Sequence, residues 1–257
     1  MLILFDSHCH LAATEFDSDR DAVIASAKAA GVMQQLIPAV DYASWQTIKH
    51  ICVQHSGLLP AYGLHPMYLD QHRPEHLSQL EQWLTTEQPA AVGECGLDFF
   101  VEGLDPIAQR YYFEAQLLLA KQFNLPVVIH ARKSLDEVIK LLRVANVDQG
   151  VVHSFSGSPQ QAEQLFELGF MLGIGAVISF DRAKRLRQLV STMPIKFLLL
   201  ETDAPDQPGA LHRGERNQPA YLPEVANCIS QLRGESIEYI AEHTTANARK
   251  LFIRSHL

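Results

Sequence analysis

The chain has 257 residues, of which 47% are apolar and 19% are charged, a composition typical of a globular protein with enough material for a sizeable core. Its net charge of −8 argues against a protein that coats nucleic acid through a broad basic face, although it is compatible with a local phosphate site neutralised by cations. No apolar stretch reaches the roughly 20 residues that span a bilayer, and the first residues lack the basic region of a signal peptide, so we expect no membrane partner.

Apolar, β-branched runs recur along the whole chain and predict eight strands. Glycines and prolines stand between these runs and the segments before them, as they do where a helix ends and a strand follows. The predicted strands cover residues 2–7, 33–39, 58–63, 89–94, 126–130, 149–153, 169–174 and 196–201.

Amphipathic segments alternate with the strands and predict helices over residues 17–30, 42–55, 74–86, 105–123, 133–145, 159–168, 182–192 and 221–233. Residues 235–253 predict one or two further helices. Strands that alternate with helices pair in parallel through crossovers. We therefore predict an α/β fold, a (β/α)8 TIM barrel in which residues 1–257 form one domain. An open doubly wound sheet is the alternative, but no glycine-rich phosphate loop follows the first strand.

Two histidines one residue apart, His8 and His10, end the first predicted strand. Side chains at positions i and i+2 of a strand point to the same face, so this pair could chelate a metal ion. Many such pairs are incidental, and the local sequence leaves both readings open.

Polar residues end five further predicted strands. His65 ends the third strand, Glu94 the fourth, His130 the fifth, His153 the sixth, and Asp203 follows the eighth. Each of these alone could be an ordinary buried or loop residue. Active sites of (β/α)8 barrels lie at the carboxyl ends of the strands, so their recurrence there predicts a functional site.

The combined residue types predict a dinuclear metal site. Four histidines with Glu94 and Asp203 are too many ligands for one open catalytic ion, but they suit two divalent ions bridged by a carboxylate. Such a pair activates water and spreads the charge of an in-line phosphoryl displacement. Imidazole with carboxylate suits zinc, manganese, cobalt or nickel, whereas magnesium prefers more oxygen, so the choice among Mg, Zn and Mn stays open.

Seven motifs together carry a resemblance to a known family. They are Asp6-Ser7-His8-Cys9-His10, Gly63-Leu64-His65-Pro66, Gly93-Glu94-Cys95-Gly96-Leu97-Asp98, His130-Ala131-Arg132, His153-Ser154-Phe155-Ser156-Gly157, Leu199-Leu200-Glu201-Thr202-Asp203-Ala204-Pro205 and Arg216-Asn217-Gln218-Pro219. The chain resembles the TatD family of metal-dependent deoxyribonucleases, within the amidohydrolase-like barrels and nearest their YjjV-like branch. These motifs are specific for the family and much less so for the substrate.

The resemblance implies a role for each predicted ligand. His8, His10 and Asp203 would hold one metal ion, His130 and His153 would hold the other, and Glu94 would bridge them. Glu94 and Asp203 would also be the catalytic residues, with Asp203 a candidate to take up the proton of the attacking water.

Residues beside the ligands are candidates for substrate binding. His65 could contact a phosphate, or it could belong to a structural His-Pro turn. Arg132 could clamp a phosphate, or it could form a salt bridge. Asp6 and Glu201 are an even number of positions from the predicted ligands on their strands, so they point to the same face and could orient those ligands. A basic segment after the seventh strand could steer DNA or form a solvated helix face; its residues are Arg182, Lys184, Arg185 and Arg187.

The cysteines bear on the compartment of the protein. Cys9, Cys52, Cys95 and Cys228 are widely spaced and form no CxxC motif, which favours free thiols and a cytoplasmic location. Cys9 and Cys95 adjoin predicted ligands, but strand alternation points both away from the site.

Together these patterns predict a monomeric metallohydrolase that cleaves phosphodiester bonds of DNA from an end of a single strand. The alternative enzyme is a dinuclear hydrolase of small amides, lactones or phosphoesters. Related barrels with that chemistry often bridge their metals with a modified lysine on the fourth strand, where this chain has Glu94. A non-enzymatic metal-bound scaffold is a third reading, which the intact ligand set disfavours.

Overall fold

Eight parallel strands follow one another around a barrel in the order in which they occur along the chain. The structure, a computed structural model, describes residues 2–253. The strands are β1 (Leu4–Asp6), β2 (Val32–Pro38), β3 (Leu58–Tyr62), β4 (Ala91–Asp98), β5 (Val127–Arg132), β6 (Gly150–Val152), β7 (Phe170–Ile174) and β8 (Leu198–Leu200). All eight predicted strands are present.

The last strand meets the first, so the sheet closes. Ser7 N donates to Leu200 O over 2.9 Å, and Asp203 N donates to His8 O over 2.9 Å. These bonds join the carboxyl end of β1 to β8 and to the loop that follows it. The predicted (β/α)8 barrel is thereby confirmed, and the open doubly wound sheet is excluded.

Helices connect the strands and cover the outside of the barrel. They are α1 (Arg20–Ala29), α2 (Ser44–Gln54), α3 (Glu75–Glu87), α4 (Pro106–Gln122), α5 (Leu135–Ala145), α6 (Pro159–Glu167), α7 (Lys184–Thr192), α8 (Leu222–Arg233) and α9 (Ile237–Phe252). The terminal stretch, predicted as one or two helices, is the single helix α9. Among residues 2–253, no helix combines the length and apolarity needed to cross a membrane.

The inside of the barrel is filled by an apolar layer near its amino-terminal end. Each strand contributes one side chain to this layer: Phe5, Leu36, Ala61, Ala91, Val128, Val151, Met171 and Leu199. Helix α9 closes the layer from below, where the ring of Phe252 stacks on that of Phe5 at a centroid distance of 5.9 Å. With its lower end filled, the barrel leaves the carboxyl end of the strands for a polar site.

Strand β4 runs four residues beyond its predicted end at Glu94, because its ladder with β5 continues to the pair Asp98 and Arg132. Gly96 permits the close pairing: its φ is +141°, and a Cβ there would collide with the carbonyl oxygen of His130. This extension carries Asp98 to the same end of the barrel as His130.

Candidate metal centre

Glu94 lies at the centre of the polar cluster above the apolar layer. Strict alternation from the inward-facing Ala91 would place Glu94 on the outer face of β4. The ladder to β5 shifts its register between Val92 and Cys95, and this irregularity turns the Glu94 side chain inward. Cys95 then faces outward, with its Sγ 3.8 Å from Val128 O. Glu94 is 1% exposed.

One carboxylate oxygen of Glu94 faces the side chains from the first and last strands. Its Oε2 lies 3.0 Å from His8 Nε2 and 3.4 Å from His10 Nε2. Asp203 Oδ1 lies 3.5 Å from each of these nitrogens. The two imidazoles are themselves 3.1 Å apart, Nε2 to Nε2. Four donor atoms therefore converge within the span of one metal coordination sphere.

The other oxygen of Glu94 faces imidazoles from three different strands. Its Oε1 lies 2.9 Å from His153 Nε2, 3.3 Å from His130 Nδ1 and 3.0 Å from His65 Nε2. Glu94 thus separates two groups of ligand-type atoms, one on each of its oxygens. The sets resemble those expected from the sequence, except that His65 joins the second one.

The donor set fits divalent cations. Both oxygens of Glu94 are buried, and five imidazole nitrogens lie within 3.4 Å of them. Buried carboxylates are normally hydrogen-bonded, paired or bound to metal. Three groups of side chains within the described residues could hold an ion: His8, His10 and Glu94; His65, Glu94 and His130; and His8, His153 and Glu201.

Hydrogen bonds on the far sides of two rings distinguish His130 from His65. His130 Nε2 donates to Asp98 Oδ2 over 2.9 Å, so the neutral ring has its lone pair on Nδ1, toward Glu94. His65 Nδ1 instead accepts from Met67 N over 3.1 Å, so its Nε2 carries the proton. His130 therefore presents a ligand atom to the centre, whereas His65 presents a hydrogen-bond donor.

The electrostatics of the cluster favour positive charge at its centre. Burial opposes ionisation of Asp203, but hydrogen bonding to His10 and the imidazoles of His153 and His8 hold its pKa well below its usual range. Burial likewise opposes the charge of His10, yet Asp203 and Glu94 raise the pKa of His10 to about 10. Burial lowers the pKa of His8 to about 4, which keeps its imidazole in the neutral, ligating form.

Asp6 and Glu201 hold the loops that carry the ligands. Asp6 accepts from Thr202 Oγ1 at 2.6 Å and from Thr202 N at 3.0 Å, which ties the loop after β8 to β1. Glu201 accepts from Ser154 N, and its Oε1 lies 3.8 Å from His153 Nδ1. Burial raises the pKa of Asp6 to about 7 and that of Glu201 to about 8.

Asp98 was not singled out as a site residue from the sequence, although it closes one of the seven motifs. Because it fixes the tautomer of His130, Asp98→Asn should weaken metal binding by roughly 10- to 100-fold while the protein stays folded. Isothermal titration of Zn²⁺ or Mn²⁺ into the metal-stripped variant measures this loss. The exposed Asp105→Asn is the control of equal charge change. Unchanged affinity in Asp98→Asn would show that the His130–Asp98 bond does not orient the ligand.

The cluster opens into a cleft of about 1240 Å³, which Arg132, His65 and the cluster itself line. Among residues 2–253, Arg132 forms no salt bridge, and its guanidinium lies over the Phe100 ring, 3.7 Å from the centroid. Its contact with a phosphate stays a prediction. The basic segment divides. Arg182 and Arg185 line the cleft, whereas Arg187 donates to Ile178 O over 2.8 Å and is a structural residue.

Comparison with known proteins places this geometry in context. The chain matches the family model described as TatD related DNase over residues 5–253. It is 37% identical, over 96% of both chains, to YjjV of Escherichia coli, which is called an uncharacterized metal-dependent hydrolase. The crystal structure of Escherichia coli YjjV superposes with a TM-score of 0.94 at 35% identity and 98% coverage of both chains.

Two more distant matches add to this. The chain is 34% identical, over 97% of both chains, to a Klebsiella pneumoniae protein named 3'-5' ssDNA/RNA exonuclease TatD. The crystal structure of an uncharacterized amidohydrolase from Saccharomyces cerevisiae shares the fold alone, with a TM-score of 0.78 at 18% identity and coverage of 98% of this chain and 100% of that one.

Proposed function

The chain belongs to the TatD family of metal-dependent hydrolases, and from this premise we propose that it cleaves phosphodiester bonds of single-stranded DNA from one end. The observation that carries the proposal is Glu94, whose two oxygens face two separate groups of ligand atoms at the bottom of an open cleft. Dinuclear sites bridged by a carboxylate are suited to displacement at phosphorus. The relative named as an ssDNA/RNA exonuclease supports the choice of substrate.

The proposed metal ligands follow the two sides of Glu94. His8, His10 and Asp203 would hold one divalent ion, His130 and His153 would hold the other, and Glu94 would bridge them. When bound, such ions supply Lewis-acid activation of phosphate oxygens and of the attacking water. The mixed imidazole and carboxylate donors favour Zn²⁺ or Mn²⁺ over Mg²⁺.

Three residues have proposed roles, one in proton transfer and two in binding phosphates. The carboxylate of Asp203 lines the cleft beside His8 and His10, where it can take up the proton of the attacking water. His65 directs its Nε2 proton into the cluster and can donate to a phosphate oxygen. Arg132, whose guanidinium is held by the Phe100 ring at the edge of the cleft, can pair with a phosphate of the same strand.

The cleft favours a single strand over a duplex. Its volume of about 1240 Å³ exceeds the roughly 300–1,000 Å³ of pockets for small ligands, yet it is enclosed by the loops of one barrel face. The net charge of −8 also disfavours extensive contact with a duplex backbone. A few nucleotides at a strand end fit both facts.

The function is tested with purified protein and end-labelled single-stranded DNA. We expect hydrolysis with Zn²⁺, Mn²⁺ or Mg²⁺, loss of hydrolysis with a chelator, and activity that falls steeply with added salt because binding to a polyanion releases counterions. The same preparation is offered a lactone, an amide and a small phosphoester. Good hydrolysis of one of these, with none of DNA in the presence of metal, would overturn the nuclease proposal.

A further inference from the structure

The charged side chains that line the cleft outside the metal cluster are sorted by the strand that they follow. Among the described residues, the acidic lining side chains are Glu15 after β1, Asp41 after β2 and Asp206 after β8, and the basic ones are Arg132 at the end of β5 with Arg182 and Arg185 after β7. We name the first group the acidic arc and the second the basic arc. The acidic arc follows three consecutive strands, and the basic arc follows β5 and β7, with β6 between them.

The two arcs lie on different sides of the metal cluster and meet between β7 and β8. Strands run around the barrel in chain order, so β8, β1 and β2 are neighbours. Arg132 on β5 lies half a turn from β1, whereas Arg182 and Arg185 follow β7, the neighbour of β8. The acidic arc therefore stands beside His8, His10 and Asp203, and the basic arc stands beside His130 and His153. Glu94 lies between them.

The acidic arc acts as one electrostatic region. Burial raises the pKa of the Tyr68 phenol, and the carboxylates of Asp41, Asp206, Glu94 and Glu15 raise it further. Burial raises the pKa of Asp206 as well, and Asp203 and Glu15 add to that shift. Side chains from three separate loops thus repel negative charge at this end of the cleft.

The basic arc keeps its charge available to a ligand. The guanidinium of Arg132 lies over the Phe100 ring at 3.7 Å, and that of Arg182 lies over the Phe180 ring at 5.1 Å. Within residues 2–253, the ion pairs within 4.0 Å include none that involves Arg132, Arg182 or Arg185. Aromatic rings thus hold Arg132 and Arg182 without neutralising them.

We propose that this division selects the end of the substrate strand. The phosphates of the retained strand lie along the basic arc, and the terminal nucleotide lies on the acidic arc, where carboxylates can accept from a free sugar hydroxyl but repel a further phosphate. The enzyme then requires a strand end with a free hydroxyl and rejects both a terminal phosphate and a continuing strand. This inference rests on the proposed function.

The test uses four linear oligonucleotides of one sequence, which carry either a hydroxyl or a phosphate at each of the 3' and 5' ends. A circular single strand is the fifth substrate. The wild type should cleave the hydroxyl form of one end at least about tenfold faster than its phosphate form, which corresponds to about 1.4 kcal/mol of repulsion. It should leave the circular strand intact. Equal rates for all end forms, with DNA hydrolysed, would overturn the inference and leave the proposed function standing. Absence of any DNA hydrolysis would overturn both.

Variants that replace carboxylates with uncharged amides test whether the acidic arc causes the discrimination between hydroxyl and phosphate ends. The double substitution Glu15→Gln with Asp206→Asn should lower the ratio of the hydroxyl rate to the phosphate rate toward one. The exposed pair Asp148→Asn with Glu163→Gln changes the net charge equally and should keep the wild-type ratio. If the control pair lowers the ratio as much as the arc pair, net charge rather than the acidic arc determines it.

The basic arc is tested by the dependence of KM on the length of the substrate strand. Arg182→Gln with Arg185→Gln should raise KM for a 12-nucleotide strand by a larger factor than KM for a dinucleotide, because only the longer strand reaches both guanidinium groups. Equal factors for the two lengths would place the retained strand elsewhere and overturn this half of the inference.

Discussion

Replacing Glu94 with glutamine should remove both metal ions and abolish turnover. The two oxygens of Glu94 face different groups of ligand atoms, so one substitution withdraws a charged donor from both. Residues that only hydrogen-bond to a metal ligand contribute roughly 10- to 100-fold to metal affinity, so loss of the bridging carboxylate should lower metal affinity by more than that. Glutamine keeps the volume of the buried side chain and avoids a cavity. Elemental analysis of the purified variant and its rate on labelled single-stranded DNA measure the two effects.

The exposed Glu163→Gln serves as control and should keep both the metal content and the rate of the wild type. A thermal unfolding curve checks that Glu94→Gln remains folded, since five imidazoles lose their common partner. Two tightly held ions in the folded variant would show that Glu94 is not the bridge.

Replacing Asp203 with asparagine should reduce kcat far more than it weakens binding of DNA. Asp203 is a proposed ligand and the candidate base, and a positioned general base contributes about 10²- to 10⁴-fold to the rate. Its backbone has φ of +57°, a conformation that asparagine also tolerates, so the loop should be preserved. We expect a loss of kcat in that range at saturating metal, with the dissociation constant for a fluorescent oligonucleotide, measured by anisotropy, almost unchanged.

The comparison is informative because asparagine keeps the size and shape of the side chain but cannot accept a proton at neutral pH. Equal losses in kcat and in DNA affinity, in a folded and metal-loaded variant, would point to a binding role instead. Retention of kcat would remove Asp203 from the chemical step altogether.

Much of the fold could be predicted from local patterns. Each apolar run that ended in a histidine or carboxylate became a strand, because a buried strand and its polar end leave their signature within a few neighbouring residues. The positions of His130 and His153 followed from this, since alternation from the inward-facing Val128 and Val151 brings both into the barrel. The metal-binding roles assigned to them stay predictions.

Other features depended on residues that are distant along the chain. The inward direction of Glu94 required the register shift between β4 and β5, whereas alternation from Ala91 alone would have turned it outward. The tautomer of His130 depended on Asp98, 32 positions away, and the contrasting proton position of His65 depended on how its loop folds back onto its own ring.

The sequence by itself determined the eight strands, the helices between them and the kinds of ligand at the strand ends, because hydrophobic periodicity and residue chemistry are properties of short segments. Only the tertiary structure decided which oxygen of Glu94 faces which histidines, and that acidic and basic lining residues occupy separate arcs of the cleft. The physical reason is that closing the barrel juxtaposes side chains from separate strands, and the distances and repulsions among them exist only once the sheet has closed.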